Sequence, residues 1–425
     1  MLRFSRRAFF RTACVGAAGL GLSRAPGARG ETLSPIRTIT RGPAHHWFAY
    51  YDKLQFDPSD RFVLSNEVVF EHRTPRADDL IRVGMVDTAN NDTWTELGSS
   101  LAWGWQQGCM LQWIPKTDAD VLWNDREGDH FVCRLMNTQT RETRTLDRPI
   151  YTVSPDGRFG LSVNFARLQV LRPGYGYVGL PDPYADALAP EDDGVFRVDL
   201  KSGDSKLILP LSEVAKIPYQ GQVLEGVLHY FNHLLVSPGG DRFIVLHRWR
   251  TRDPETGKPK GGFTTRMLTV NMDGSDVYVL DPSGNTSHFI WRDPEHVCMW
   301  TKPEGQKAAF YLFRDRTREV AIVGDGVMTR NGHNTYVPRR NNAWILCDTY
   351  PDRDRNQQVY LYHVPTGRRY ELGKFYQPPE YKGEWRCDTH PRSSNSGNLV
   401  CIDSPHTGAG RQLHLIDIRE ILDSV

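Results

Sequence analysis

Thr152-Val153-Ser154-Pro155-Asp156-Gly157-Arg158-Phe159-Gly160-Leu161 reads as a short apolar strand, a tight turn and a second apolar strand. Pro presets the turn backbone, and Gly accepts the positive φ that ends it. The same unit returns as Leu235-Val236-Ser237-Pro238 before Arg242-Phe243-Ile244-Val245. Working outward, it recurs at residues 54–58 before 61–64, 111–115 before 120–123, 289–294 before 296–299, 335–338 before 343–346, and 389–391 before 398–401. Pro58, Pro115, Pro155, Pro238, Pro294, Pro338 and Pro391 mark the units, spaced 57, 40, 83, 56, 44 and 53 residues. Self-similarity at such a period is the signature of a repeat architecture. A second hairpin follows each unit, as in Val198-Asp199-Leu200 and Lys206-Leu207-Ile208-Leu209 around the turn Lys201-Ser202-Gly203. Two hairpins make a blade. The sequence therefore predicts an all-β chain, a seven-bladed β-propeller of four-stranded antiparallel blades. The last blade has no outer strand after residues 413–417, and residues 34–39 can supply it. Such an N-terminal strand closes the ring and removes its free edges. The seven-fold alternation argues against the alternative, a pair of packed β-domains.

Ahead of the propeller, Ser5-Arg6-Arg7-Ala8-Phe9-Phe10-Arg11 and the apolar residues 13–22 read as a twin-arginine export signal over residues 1–30. The apolar stretch is too short for a bilayer, which needs ~20 residues. Residues 31–425 then form one propeller domain, with an insertion at 172–193, and no later segment suits a membrane span. A periplasmic or extracellular monomer is expected. Lys plus Arg (52) nearly cancels Asp plus Glu (51), so no positive field exists to hold nucleic acid. The six cysteines beyond the signal show no Cys-x-x-Cys spacing; most read as buried free thiols, and any disulfide pairing stays open.

In a propeller, the loop leading into each inner strand and the loop joining the second and third strands share one face. The first set carries His46, Tyr51, Gln107, Tyr230, His233, His288, His333, Arg386, Asp388 and His390; the second carries Asn124, Asn164, Arg167 and Arg248. The opposite face collects turn formers. That asymmetry suits a site at one end of a rigid scaffold. Any one of these histidines can be a satisfied core residue, the tyrosines packing, and the arginines paired. What singles out the mouth is the recurrence of His233, His288, His333 and His390 on successive blades. His333, Asp388 and His390 offer two imidazoles and a carboxylate, a set for one divalent transition metal such as Mn or Zn. No other cofactor is implied.

The Pro-turn blades, the histidines before inner strands and the segment Trp385-Arg386-Cys387-Asp388-Thr389-His390-Pro391 resemble the oligogalacturonate lyases and ulvan lyases. These are exported polysaccharide lyases on seven-bladed propellers, and the likeness covers about residues 40–420. The resemblance implies His333 as a metal ligand, His288 as catalytic base and Arg248 as the arginine that neutralises the substrate carboxylate. Tyr230 or another histidine, with His233 at the same mouth, would protonate the leaving oxygen. One departure is plain: Asp388 stands where the oligogalacturonate lyases have the earlier of two closely spaced histidines, and no glutamine precedes it at their spacing. The implied partner is an acidic polysaccharide or oligosaccharide, cleaved at a uronate by β-elimination. His46, Tyr51, Gln107, Asn124, Asn164, Arg167 and Arg386 would contact it, and Tyr175, Tyr177 and Trp249 would stack on sugar faces. Two other readings use the same mouth. A non-catalytic glycan- or protein-binding propeller needs no base. A glycoside hydrolase needs two carboxylates ~5–10 Å apart, for which Asp125, Asp348 and Asp388 are candidates.

Overall fold

The computed structural model describes residues 35–425; the twin-arginine segment lies outside them. Seven four-stranded antiparallel sheets form the propeller. From inner to outer strand, blade one runs from His45–Trp47 to Thr93–Ser100, blade two from Gln112–Trp113 to Thr143–Leu146, and blade three from Thr152–Val153 to Ser205–Pro210. Blade four runs from Val227–Val236 to Tyr278–Gly284, blade five from Phe289–Asp293 to Val320–Val323, and blade six from Asn334–Tyr336 to Arg368–Tyr376. Blade seven starts at Arg392–Ser393, and its outer strand is Ile36–Thr38, paired antiparallel to Gln412–Asp417 with Ile36 opposite Ile416. The strand expected from residues 34–39 thus closes the ring.

The repeated turn also joins neighbouring blades. In blade three, Gly157 N–H donates to Ser154 O at 2.9 Å and Ser154 N–H to Phe159 O at 2.8 Å. Gly157 has φ +73°, and a Cβ there would lie 2.3 Å from Pro115 O of blade two. Gly397 of blade seven repeats this at φ +73°, with a Cβ 2.5 Å from Pro338 O of blade six. Only glycine suits both the backbone and the approach. One marker is corrected. Pro391 precedes the inner strand of blade seven rather than following it, and Asn395 takes the turn position that proline holds elsewhere. Its amide donates to Asp57 O of blade one at 2.8 Å, a bond that proline could not make.

Three local departures from regular blades shape the mouth. The inner strand of blade one is interrupted after Trp47, with Ala49 at φ +86°, so Tyr50 and Tyr51 turn into the channel. A bulge between Asn232 and Leu235 puts His233 at φ +52° and aims its ring inward. The central hairpin of blade four, Arg242–Arg252 with Pro259–Asn271, is long enough to make a wall. The all-β expectation also missed a helix, Phe165–Leu171, which leads into the insertion. Asn164 is its N-cap, its side chain accepting from Arg167 N–H.

Apolar faces pack between successive blades, as in the Trp47, Trp103 and Trp105 cluster. Cys109, Cys133, Cys298, Cys347, Cys387 and Cys401 are buried free thiols. Among the described residues no helix is long and apolar enough to cross a membrane.

Burial also sets an acid limit on the fold. It pushes the His46, His229 and His414 imidazoles down to about 4. His229 Nδ1 lies 2.9 Å from His247 Nε2, while Arg266 Nε–H donates to His247 Nδ1 at 3.0 Å, an arrangement that requires neutral rings. Unfolded histidines take up protons below pH ~6.5, but these do so only near their depressed folded values. Their stabilising contribution is therefore complete above that pH and is lost as pH falls toward 4, at roughly 1–3 kcal/mol for each. Urea unfolding at pH 7 and pH 5 should give a lower midpoint at pH 5. An unchanged or higher midpoint would contradict this reading.

Candidate active site at the channel mouth

His288, His333 and His390 come from three successive blades and cluster together, one pair tilted and the other edge to face. Ring centroids are 4.0 Å apart for His288–His333 and 4.3 Å for His333–His390. Tyr51 packs against His288 and His333, and its hydroxyl donates to Phe289 O at 2.7 Å and accepts from Phe289 N–H at 3.0 Å. Tyr50 stacks on His233 with centroids 4.9 Å apart.

Around His333 three side chains are placed so that they could hold a metal ion. One ligand atom each from His333, Asp388 and His390 lies within 4.8 Å of the others. His333 Nδ1 sits 3.0 Å from both Asp348 oxygens, which places its proton there and leaves Nε2 bare. Asp388 Oδ1 and His390 Nε2 are buried with no hydrogen-bond partner among the described residues. Unpaired buried acceptors are costly, and a cation would satisfy both. His390 adopts φ +38°, a strained backbone for a residue with a Cβ. The other Asp388 oxygen is held by Arg386 Nε–H at 2.7 Å. Burial pushes the Asp348 carboxyl up to about 6, against the bonds from Thr389 and the His333 backbone that lower it. The residues fit a divalent ion, with Asp348 orienting His333 from behind.

Beside this centre lies a polar cavity of about 270 Å³. Arg172 and Tyr175 of the insertion, His233, Arg248, Phe263 and Thr265 of blade four, Ser287 and His288, and Asn331 and Tyr350 line it. Among its described lining residues there are two arginines and no carboxylate. Arg248 is 4% exposed, and among the described residues its only side-chain hydrogen bond is from Nε–H to Thr265 Oγ1 at 3.0 Å. Its Nη1 and the Nε of Arg172 are buried donors without a partner among the described residues. Burial and His333 hold His288 neutral, well below the usual imidazole value. Asn331 donates its amide to Ser287 Oγ at 3.0 Å and presents Oδ1 to His288 Nδ1 at 3.0 Å. This assigns the His288 proton to Nδ1, and leaves Nε2 unprotonated, accepting from the Tyr350 hydroxyl at 3.3 Å.

The structure thus gathers His233, His288, Arg248, His333, Asp388, His390, Arg386 and Tyr51 around one mouth. Gln107 acts one step behind it, 3.2 Å from His233 Nδ1. Tyr230 is 1% exposed and does not line the cavity. Four other expected substrate contacts lie elsewhere, engaged in structure. His46 lies against Trp94 and Ser65 inside blade one. Asn124 bonds Ile150 N–H, Ile150 O and the Tyr177 hydroxyl. Asn164 caps its helix, and Arg167 forms a buried pair with Asp182 at 3.0 Å. Of the aromatics, Tyr177 stacks on Phe165 and Trp249 packs on Tyr219, leaving Tyr175 at the cavity. Sequence reasoning missed Arg172, Asn331 and Tyr350. Tyr350 stands two residues after Asp348, at the end of a second strand where the polar set was sought.

No protein-family model and no curated protein matches the chain. Among solved structures it is similar to an oligogalacturonate lyase from Vibrio parahaemolyticus, with 14% identity and a TM-score of 0.63 over 92% of this chain and 95% of that one. The fold is shared with oligogalacturonate lyases. A second structure, an oligogalacturonate lyase in complex with manganese, matches at 13% identity and a TM-score of 0.62, over 91% of this chain and 94% of that one. At these identities the likeness shows the architecture, and the chemistry has to be argued from the side chains.

Proposed function

We propose that this chain is an exported polysaccharide lyase that cleaves an acidic, uronate-containing glycan by β-elimination. The observation that carries this reading is Arg248, a buried guanidinium with no carboxylate partner among the described residues, facing a cavity with an unprotonated imidazole nitrogen. A buried charge without a counter-ion is expensive, and a bound carboxylate would remove that cost.

In this reading Arg248 Nη1 and Arg172 Nε grip the uronate carboxylate and stabilise the charge that develops when C5 loses its proton. His288 Nε2 takes that proton, its basicity raised by the arriving carboxylate. The C5 electron pair forms the C4–C5 double bond, and the C4–O bond breaks with its pair on oxygen. A divalent ion such as Mn or Zn at His333, Asp388 and His390 would supply Lewis-acid charge beside the same site. Hydrolysis by two carboxylates finds less support: Asp388 is tied to Arg386, Asp348 to His333, and Asp125 to Arg134.

The test is to incubate the protein with a panel of polyuronates and follow the absorbance of an unsaturated uronate. Its growth is expected on at least one acidic polymer. Reducing ends without that absorbance would overturn elimination in favour of hydrolysis. Elemental analysis of protein purified without chelator should find one divalent transition metal, and Asp348→Asn should weaken its affinity by roughly 10–100-fold. Metal content and affinity unchanged by Asp348→Asn would contradict the orienting role.

A further inference from the structure

The elimination above leaves one proton unassigned, the one that the departing sugar oxygen must receive. Tyr175 is 5% exposed and lines the same cavity as Arg248 and His288. It reaches there from the insertion, because the chain after helix Phe165–Leu171 folds back over the channel. Its hydroxyl oxygen accepts from Arg386 Nη2–H at 2.8 Å, and among the described residues no acceptor takes its O–H. The Arg172 guanidinium lies 4.8 Å over its ring. The other tyrosines near the mouth are committed or set back. Tyr51 donates to a backbone carbonyl, Tyr350 points at His288 Nε2, and Tyr230, whose hydroxyl has no partner among the described residues, does not line the cavity.

Resting on the lyase reading, we propose that Tyr175 is a further catalytic residue, the general acid that protonates the leaving oxygen. The proton leaves the phenol as the C4–O bond breaks, and the electron pair from that bond forms the new O–H. The resulting phenolate sits between Arg386 and Arg172, two fixed cations already in place before reaction. The environment agrees with the geometry. Burial raises the Tyr175 phenol, but Arg386 and Arg172 more than offset it, so it falls below the ordinary tyrosine value. Tyr50, Tyr51, Tyr151, Tyr230 and Tyr350 are all pushed up. After turnover the phenolate regains a proton from solvent, and His288 returns the C5 proton to solvent.

The test compares Tyr175→Phe with wild type on two substrates: a uronate oligosaccharide, and a uronate whose C4 oxygen carries a nitrophenyl group and leaves without a proton. Elimination from the oligosaccharide is expected to fall by roughly 10²–10⁴-fold, while release of nitrophenolate stays within a few-fold of wild type. Equal losses on both substrates would overturn the assignment and make Tyr175 a structural residue. Full activity on both would overturn it as well. Wild-type protein that forms unsaturated product from neither substrate would instead remove the lyase reading itself. Tyr175→Phe deletes a single oxygen whose only bond among the described residues is from Arg386, and the nitrophenyl substrate reports whether the variant is folded.

Discussion

Replacing His288 with alanine lowers elimination from an acidic glycan by roughly 10²–10⁴-fold, the span that a positioned general base contributes. The loss should fall on kcat, with KM little changed, because the imidazole meets the C5 proton in the transition state and contributes little to ground-state binding. The geometry behind this expectation is specific. Asn331 fixes the proton on Nδ1, burial keeps the ring neutral, and Nε2 faces the cavity. His288→Gln should not rescue activity, since an amide cannot accept the C5 proton. A variant retaining near wild-type turnover would assign the base to another group, with His233 the next candidate on the same cavity wall.

Arg248→Met gives the second large effect, with opposite consequences for activity and stability. Activity should fall by roughly 10²–10³-fold, as when one preorganised donor is removed from a developing anion. Arg248→Lys should restore little of it, because an ammonium lacks the planar fork that meets a carboxylate with two parallel bonds. Folding stability should hold or rise, because the change removes a buried, unpaired guanidinium with an unsatisfied Nη1 and keeps an unbranched side chain of similar length. Thermal unfolding beside steady-state kinetics checks both halves. A lowered melting temperature together with intact activity would make Arg248 a structural residue.

The sequence was legible where chemistry repeats. The strand-turn-strand unit recurs and counts the blades, and at Gly157 and Gly397 the turn also packs against the preceding blade. The closing strand was legible because blade seven ended one strand short. His333, Asp388 and His390 could be grouped because all three stand just before the inner strands of two successive blades, at one mouth of a closed ring. Elsewhere legibility failed for physical reasons. Asn124 and Asn164 have the residue type of a sugar contact, but the same amide satisfies backbone groups, and only packing decides between the two. Arg167 found Asp182 inside the insertion, a pairing no periodicity announces. Tyr175 and Arg172 reach the mouth through an insertion that follows no repeat, so their neighbours could not be read from blade positions.

All of these expectations depend on the bare imidazole and the unpaired guanidinium acting on one bound uronate. Mass spectrometry of the products from an acidic oligosaccharide tests that most directly. The expected products are fragments whose masses sum to that of the substrate, one of them carrying the C4–C5 double bond, and they should disappear in His288→Ala. Fragments whose masses sum to the substrate plus one water, or an intact substrate that binds without being cut, would contradict it.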